Sequence, residues 1–96
     1  MPWERVTWET KIRPGTRLKL DHAAWSNYHW YTDSDYVTKE NGEYFITVKR
    51  VEDQYTECLR VVLVGPDYGT LEINGKAFIN IPRKQTLIGR LIKNLT

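Results

Sequence analysis

The chain has 96 residues, 41% of them hydrophobic and 27% charged, with a formal net charge of +2. That length excludes a second core, and that balance of apolar and charged residues excludes a disordered chain. The lone Cys58 excludes an intramolecular disulfide and a cysteine zinc cage, and the longest apolar run, Val61–Val64, is far short of a membrane span.

The first residues, MPWERVTWETK, contain no apolar stretch of the signal-peptide kind. A single domain over 1–96 in a reducing cytoplasm, without membrane contact, is therefore expected. Charge is unevenly distributed. Residues 1–20 carry five basic and two acidic side chains, residues 73–96 five basic and none acidic, and residues 21–72 four basic and ten acidic. If the termini converge, as they often do, one side of the domain becomes basic and the other acidic.

Along the chain, Val6, Trp8, Thr10 and Ile12 alternate with Thr7, Glu9 and Lys11. A period of two predicts a strand with one solvated face. Pro14-Gly15 predicts a turn, and Leu18 and Leu20 alternating with Arg17 and Lys19 predict a second strand. Asp21 stands where it would cap a helical turn through Trp25. From there to Ser34 the segment has no period and is crowded with rings: Trp25, Tyr28, His29, Trp30 and Tyr31. A long irregular loop is expected, and loops of that kind more often carry function than not.

Asn41-Gly42 predicts a two-residue hairpin turn. In that register Glu40 faces Glu43, Lys39 faces Tyr44 and Val37 faces Ile46. Val37, Tyr44, Ile46 and Val48 then form the core face, with Tyr36, Thr38, Phe45 and Thr47 on the other. The two facing glutamates are the register's one unfavourable pair. Cys58–Val64, apolar on both faces apart from Arg60, should be the most central strand. A second Asn-Gly, at 74–75, predicts a hairpin between Thr70–Ile73 and Lys76–Ile81, with Leu71 and Ile73 on the face of Phe78 and Ala77, Ile79 and Ile81 opposite. After Pro82, the spacing of Leu87, Ile88, Leu91, Ile92 and Leu95 predicts a helix over 84–95.

These elements sum to a mainly β fold: a small antiparallel barrel of about six strands with a C-terminal helix. The run Lys11-Ile12-Arg13-Pro14-Gly15-Thr16-Arg17-Leu18-Lys19-Leu20 resembles the opening of SH3-like small barrels. That resemblance implies that the ring-rich segment stands where such barrels place their RT-type loop. It carries no family motif, and so no family's functional residues.

Two kinds of binding follow. The rings Trp25, Tyr28, His29, Trp30 and Tyr31 with the carboxylates Asp33 and Asp35 combine stacking area with selection for a basic partner, as in recognition of Pro-rich peptides. The same rings would otherwise fold back as a lid over one barrel mouth. A protein partner held by this loop is the first expectation; a homodimer is compatible with it. The compact, ring-rich make-up suits an accessory or inhibitor protein of a phage or mobile element. The alternative is nucleic acid, held by the basic ends through Arg13, Arg17, Lys19, Arg83, Lys84, Arg90 and Lys93.

Catalysis finds no support. His22 and His29 match no metal-ligand spacing, and Cys58 opens a buried strand, where a thiol behaves as a small hydrophobe. There is no GxSxG, no P-loop and no GxGxxG; Gly65–Gly69 has two glycines, and Pro66 removes an amide donor. A non-enzymatic binding module without metal or cofactor is expected.

Overall fold

The computed structural model describes residues 2–28 and 34–81. It is mainly β, an antiparallel sheet of seven strands: β1 (Trp3–Arg5), β2 (Arg17–Leu20), β3 (Thr38–Glu40), β4 (Glu43–Tyr55), β5 (Cys58–Leu63), β6 (Gly69–Glu72) and β7 (Ala77–Asn80). One short helix, α1 (His22–Trp25), follows β2. The strand order is β1-β7-β2-β4-β5-β6, with β3 also on β4, and the sheet is not closed. The closed barrel expected from strand count is thus not confirmed. The helix expected over 84–95 lies outside the described residues. No helix among the described residues is long and apolar enough to cross a membrane.

The thirteen residues of β4 organise the fold. Its first half pairs with β2 and β3; its second half pairs with β5 through register shifts at Val48/Arg50 and Val51/Asp53. Such irregularities bend a strand and increase its twist. One strand therefore serves both halves of the sheet, and the core lies where the two halves face each other. Leu18, Leu20, Ile46, Val48 and Ala77 come from one side and Leu59, Val61, Leu63 and Ile73 from the other, with Val6, Ile12 and Trp25 packed among them.

Local signals explain several elements. Thr16 N–H donates to Arg13 O at 3.1 Å around Pro14-Gly15, with Gly15 at φ 90°. That is the type II turn which Pro and Gly favour at these positions. Asp21 Oδ1 accepts from Ala23 N–H at 3.1 Å, capping α1. Asn41 and Gly42 both have positive φ, 51° and 81°, as the type I′ turn requires. The expected pairs Glu40 with Glu43 and Lys39 with Tyr44 are present. The facing glutamates are relieved from the side, since Arg17 Nη2 lies 2.9 Å from Glu40 Oε1.

Four expectations need correction. Residues 6–12 alternate in burial as expected, with Val6 and Ile12 in the core, but β1 lies earlier, and after Val6, whose N–H still bonds Ala77 O at 2.8 Å, no ladder runs through them. Thr10 N–H donates to Thr7 O at 2.9 Å, and Thr7 N–H to Thr10 Oγ1 at 2.9 Å, so two threonines turn the chain where the period of two suggested extension. Asn74-Gly75 does make a tight turn, with Lys76 N–H on Ile73 O at 3.0 Å, yet only Gly75 has positive φ. The strands it joins do not pair: β6 lies on β5, and β7 lies between β1 and β2. The turn is a corner between the two halves, so Ala77 and Ile79 share the core with Ile73 and Leu71, and Phe78 points the other way. Tyr36, placed on the outer face of the first hairpin, instead packs partly against the core, because β3 starts only at Thr38. Finally, β4 rather than β5 is the most connected strand.

The corner between β6 and β7 is held by Glu72. Burial works against ionisation of its carboxyl, but the N–H groups of Asn74 (2.9 Å) and Leu59 (3.2 Å) and the Lys76 ammonium (3.0 Å) outweigh it, holding its pKa below the ordinary 4.5. A carboxyl shifted downward on folding contributes stability above its unfolded pKa and loses it as pH falls through the folded value. Urea unfolding should therefore show stability declining below about pH 4.5. In Glu72→Gln that decline should be shallower, with stability at pH 7 lower by about 1–2 kcal/mol. An unchanged acid limb would mean that the carboxylate does not hold the corner.

Candidate functional site

The strand register assembles a surface that no single segment contains. On the face turned away from the core, Arg5 of β1 sits opposite Phe78 of β7, Phe78 opposite Lys19 of β2, Lys19 opposite Phe45 of β4, and Phe45 opposite Thr38 of β3. Cation and ring alternate along one cross-strand row. Four strand spacings of about 4.8 Å carry that row across roughly 19 Å. Beside it lie Trp3, opposite Asn80, and Arg17, opposite Thr47.

The reason lies in the period of two. Leu18 and Leu20 must enter the core, which turns Arg17 and Lys19 outward; Ile46 and Val48 do the same for Phe45, and Ala77 for Phe78. The outward cations settle on the rings. Arg17 Cζ stands 3.9 Å from the Phe45 centroid, Arg5 Cζ 4.8 Å from that of Phe78, and Lys19 Nζ 4.7 Å from the Trp3 ring and 5.7 Å from Phe78. Trp3 and Phe45 have centroids 6.1 Å apart. Phe45 is only 8% exposed beneath this cover, whereas Arg5 and Arg17 are exposed.

Two carboxylates partly balance the three cations. Asp21 Oδ2 accepts from Arg5 Nη1 at 2.7 Å; this bond, against the cost of burial and with help from Ala23 N–H, holds the Asp21 carboxyl below its usual range. Glu40 pairs with Arg17. Lys19 has no acidic partner among the described residues.

At the Asn80 end of the face lies an open cleft of about 480 Å³, lined by Thr10, Lys11, Arg13, Thr16, Ile79, Asn80 and Ile81. Ile12, only 9% exposed, fixes this segment and leaves Lys11 and Arg13 outward. Gly15 N–H to Val48 O (2.7 Å) and Val48 N–H to Thr16 O (2.8 Å) tie the turn to β4.

Of the residues expected to hold a protein partner, Trp25, Tyr28 and Asp35 are among those described. Trp25 is 5% exposed, part of the core, with Nε1 donating to Lys76 O at 2.9 Å. Tyr28 is 55% exposed, its ring 5.6 Å from that of Trp25, and Asp35 is exposed. His29, Trp30, Tyr31 and Asp33 lie outside the described residues, as do Arg83, Lys84, Arg90 and Lys93 of the basic set. Of that set, the structure brings Arg17 and Lys19 together on the sheet face and puts Arg13 in the cleft.

Sequence reasoning passed over Trp3, Arg5, Phe45 and Phe78 as site residues. Their signal was parity: each shares the outward phase of its strand with a neighbouring cation, but the strands meet only through long-range pairing. Among the described residues no group of three His, Cys, Asp or Glu gathers where a metal ion could bind. His22 Nε2 lies 3.3 Å from Gly42 O, and its ring meets Tyr44 edge-on at 5.3 Å. No family model, curated protein or solved structure matches the chain.

Proposed function

We propose that the chain is a non-catalytic module that binds single-stranded nucleic acid across the outer face of its sheet, in a fold read as a small open barrel of the SH3-like kind. The observation that supports this most is the row Arg5–Phe78–Lys19–Phe45, with Trp3 and Arg17 beside it. Small-barrel recognition of single strands combines rings on which bases stack with cations that follow the phosphates. Trp3 and Phe78, both part-buried, offer ring surface, and Arg17, with Cζ 3.9 Å over the Phe45 ring, offers its guanidinium, a group that also stacks on bases. A duplex keeps its bases inside and would use only the cations.

Fluorescence anisotropy with a labelled oligothymidylate of about 15 nucleotides, near the upper end of known small-barrel site sizes, tests the reading. The three cations of the face, releasing counterions from a single strand, contribute about −2 to the log–log salt slope, or about 20-fold weaker binding between about 50 and 200 mM salt. Duplex of the same length should bind more weakly. Absence of binding at about 50 mM salt, or equal binding of duplex, overturns the proposal.

One observation favours a second reading. Tyr28 and Asp35, flanking residues 29–33, are exposed, as a protein-binding loop requires. Capture of a partner that survives nuclease treatment and is lost in Tyr28→Ala with Asp35→Asn would support it in place of the first.

A further inference from the structure

The cleft at the end of the sheet face contains something that phosphate alone does not satisfy. Lys11 and Arg13 line it and have no acidic partner among the described residues. The Oδ1 atom of Asn80 is buried without a hydrogen-bond partner among the described residues. Buried polar atoms in folded proteins are almost always paired, so an orphaned acceptor beside a cleft asks for a donor. The terminal torsion of asparagine is soft, so the amide can turn toward the cleft at little cost. Cations ask for an anion and the amide oxygen for a donor. A nucleotide carries both, a phosphate and, next to it, a 2′-hydroxyl or a base N–H. Ile79 and Ile81 supply apolar walls, and a volume of about 480 Å³ suits one such unit. Asn80 also belongs to the sheet face, opposite Trp3 and two residues beyond Phe78.

We infer that this cleft is a nucleotide subsite continuous with the face, in which Lys11 and Arg13 take a phosphate and the Asn80 amide accepts a hydrogen bond from the sugar or base. The inference rests on the single-strand reading. It makes the bound strand leave the sheet beside β7 and enter the cleft, so that one nucleotide is held by a hydrogen bond where the others are held by stacking.

Oligouridylate RNA, oligodeoxyuridylate and an abasic deoxyribose-phosphate oligomer of equal length separate the two sources of the donor. The double variant Lys11→Gln, Arg13→Gln alters exposed positions and should fold normally. It should weaken binding of all three, with the salt slope shallower by about 0.7, one phosphate contact being lost. Asn80→Leu removes the acceptor while keeping the branching and heavy-atom count of the side chain, and its melting temperature should be equal or higher because an unsatisfied group is gone. If the donor is the 2′-hydroxyl, this variant loses about fivefold on RNA alone; if it is a base N–H, it loses about fivefold on both uridylates and nothing on the abasic oligomer. A folded Asn80→Leu that binds all three as the wild type does, or an unchanged salt slope in the double variant, overturns the subsite while the sheet face stands. A wild type that binds none of the three removes the single-strand reading and the subsite with it.

Discussion

Replacing Trp25 by alanine should bring the protein close to unfolding. The ring is 5% exposed in the main core, and the backbone it reaches is the corner that joins the two halves of the sheet: Nε1 donates to Lys76 O, with the Lys76 ammonium 5.6 Å from the ring centroid. Truncating a large buried aromatic costs about 3–5 kcal/mol, through lost burial and the cavity left behind. Domains of this size have a total stability near 5–15 kcal/mol, so the loss is a large share. Lys76 O is not orphaned by the change, since it also accepts from Asp21 N–H at 3.1 Å; the penalty is therefore one of packing more than of an unpaired carbonyl. Thermal melting should fall by roughly 15–25 °C. Tyr28→Ala, three residues on at an exposed site, should move stability by no more than about 0.5 kcal/mol. A Trp25→Ala protein that melts like the wild type yet loses a partner would restore Trp25 to the contact surface.

Trp25 also shows what a sequence conveys about a site and what it does not. A tryptophan in an aperiodic, ring-rich stretch reads equally well as contact or core, because only the distant carbonyl of Lys76 decides between them. Features with local causes were legible. Pro14-Gly15, the Asp21 cap and Asn41-Gly42 each depend on backbone angles or on side chains within a few residues. The register of the first hairpin followed from its turn, down to Glu40 opposite Glu43. Asn74-Gly75 is the informative failure. The dipeptide dictates a tight turn, but nothing in it dictates that the flanking strands pair with each other. Gly75 N–H instead bonds Val6 O at 2.7 Å, and the chain crosses to the other half of the sheet. Residues 6–12 failed in the complementary way: period-two burial survives in a segment that Thr7 and Thr10 bend. Burial alternation reports which side chains face inward; it does not report a ladder. The outer face was hidden for the same reason. Arg17 and Lys19 were recognisable as outward cations, but that they sit on Phe45, Phe78 and Trp3 depends on β1, β7 and β4 arriving beside β2.

Reversing the two β2 cations, Arg17→Glu with Lys19→Glu, should reduce affinity for single-stranded oligonucleotides at least about 100-fold at low salt while the fold persists. Lys19 stands between Trp3 and Phe78, and Arg17 covers Phe45, so both are central to the proposed platform. Removing two phosphate contacts takes the salt slope of the face from near −2 to near −0.7, which alone accounts for much of the loss. The new carboxylates add repulsion of the phosphates and put negative charge over the negative faces of the rings. Arg17→Glu also sets a third acid beside Glu40 and Glu43, so a stability loss of about 1–2 kcal/mol is expected, well short of unfolding. The neutral pair Arg17→Gln with Lys19→Gln separates charge from stacking. It should lose roughly tenfold and show the same shallow slope, because the contacts disappear without repulsion. Equal affinities for the neutral and reversed pairs would place the phosphates elsewhere. Loss of affinity with the wild-type slope intact would mean that the cations act by holding the rings in place and not by meeting the strand.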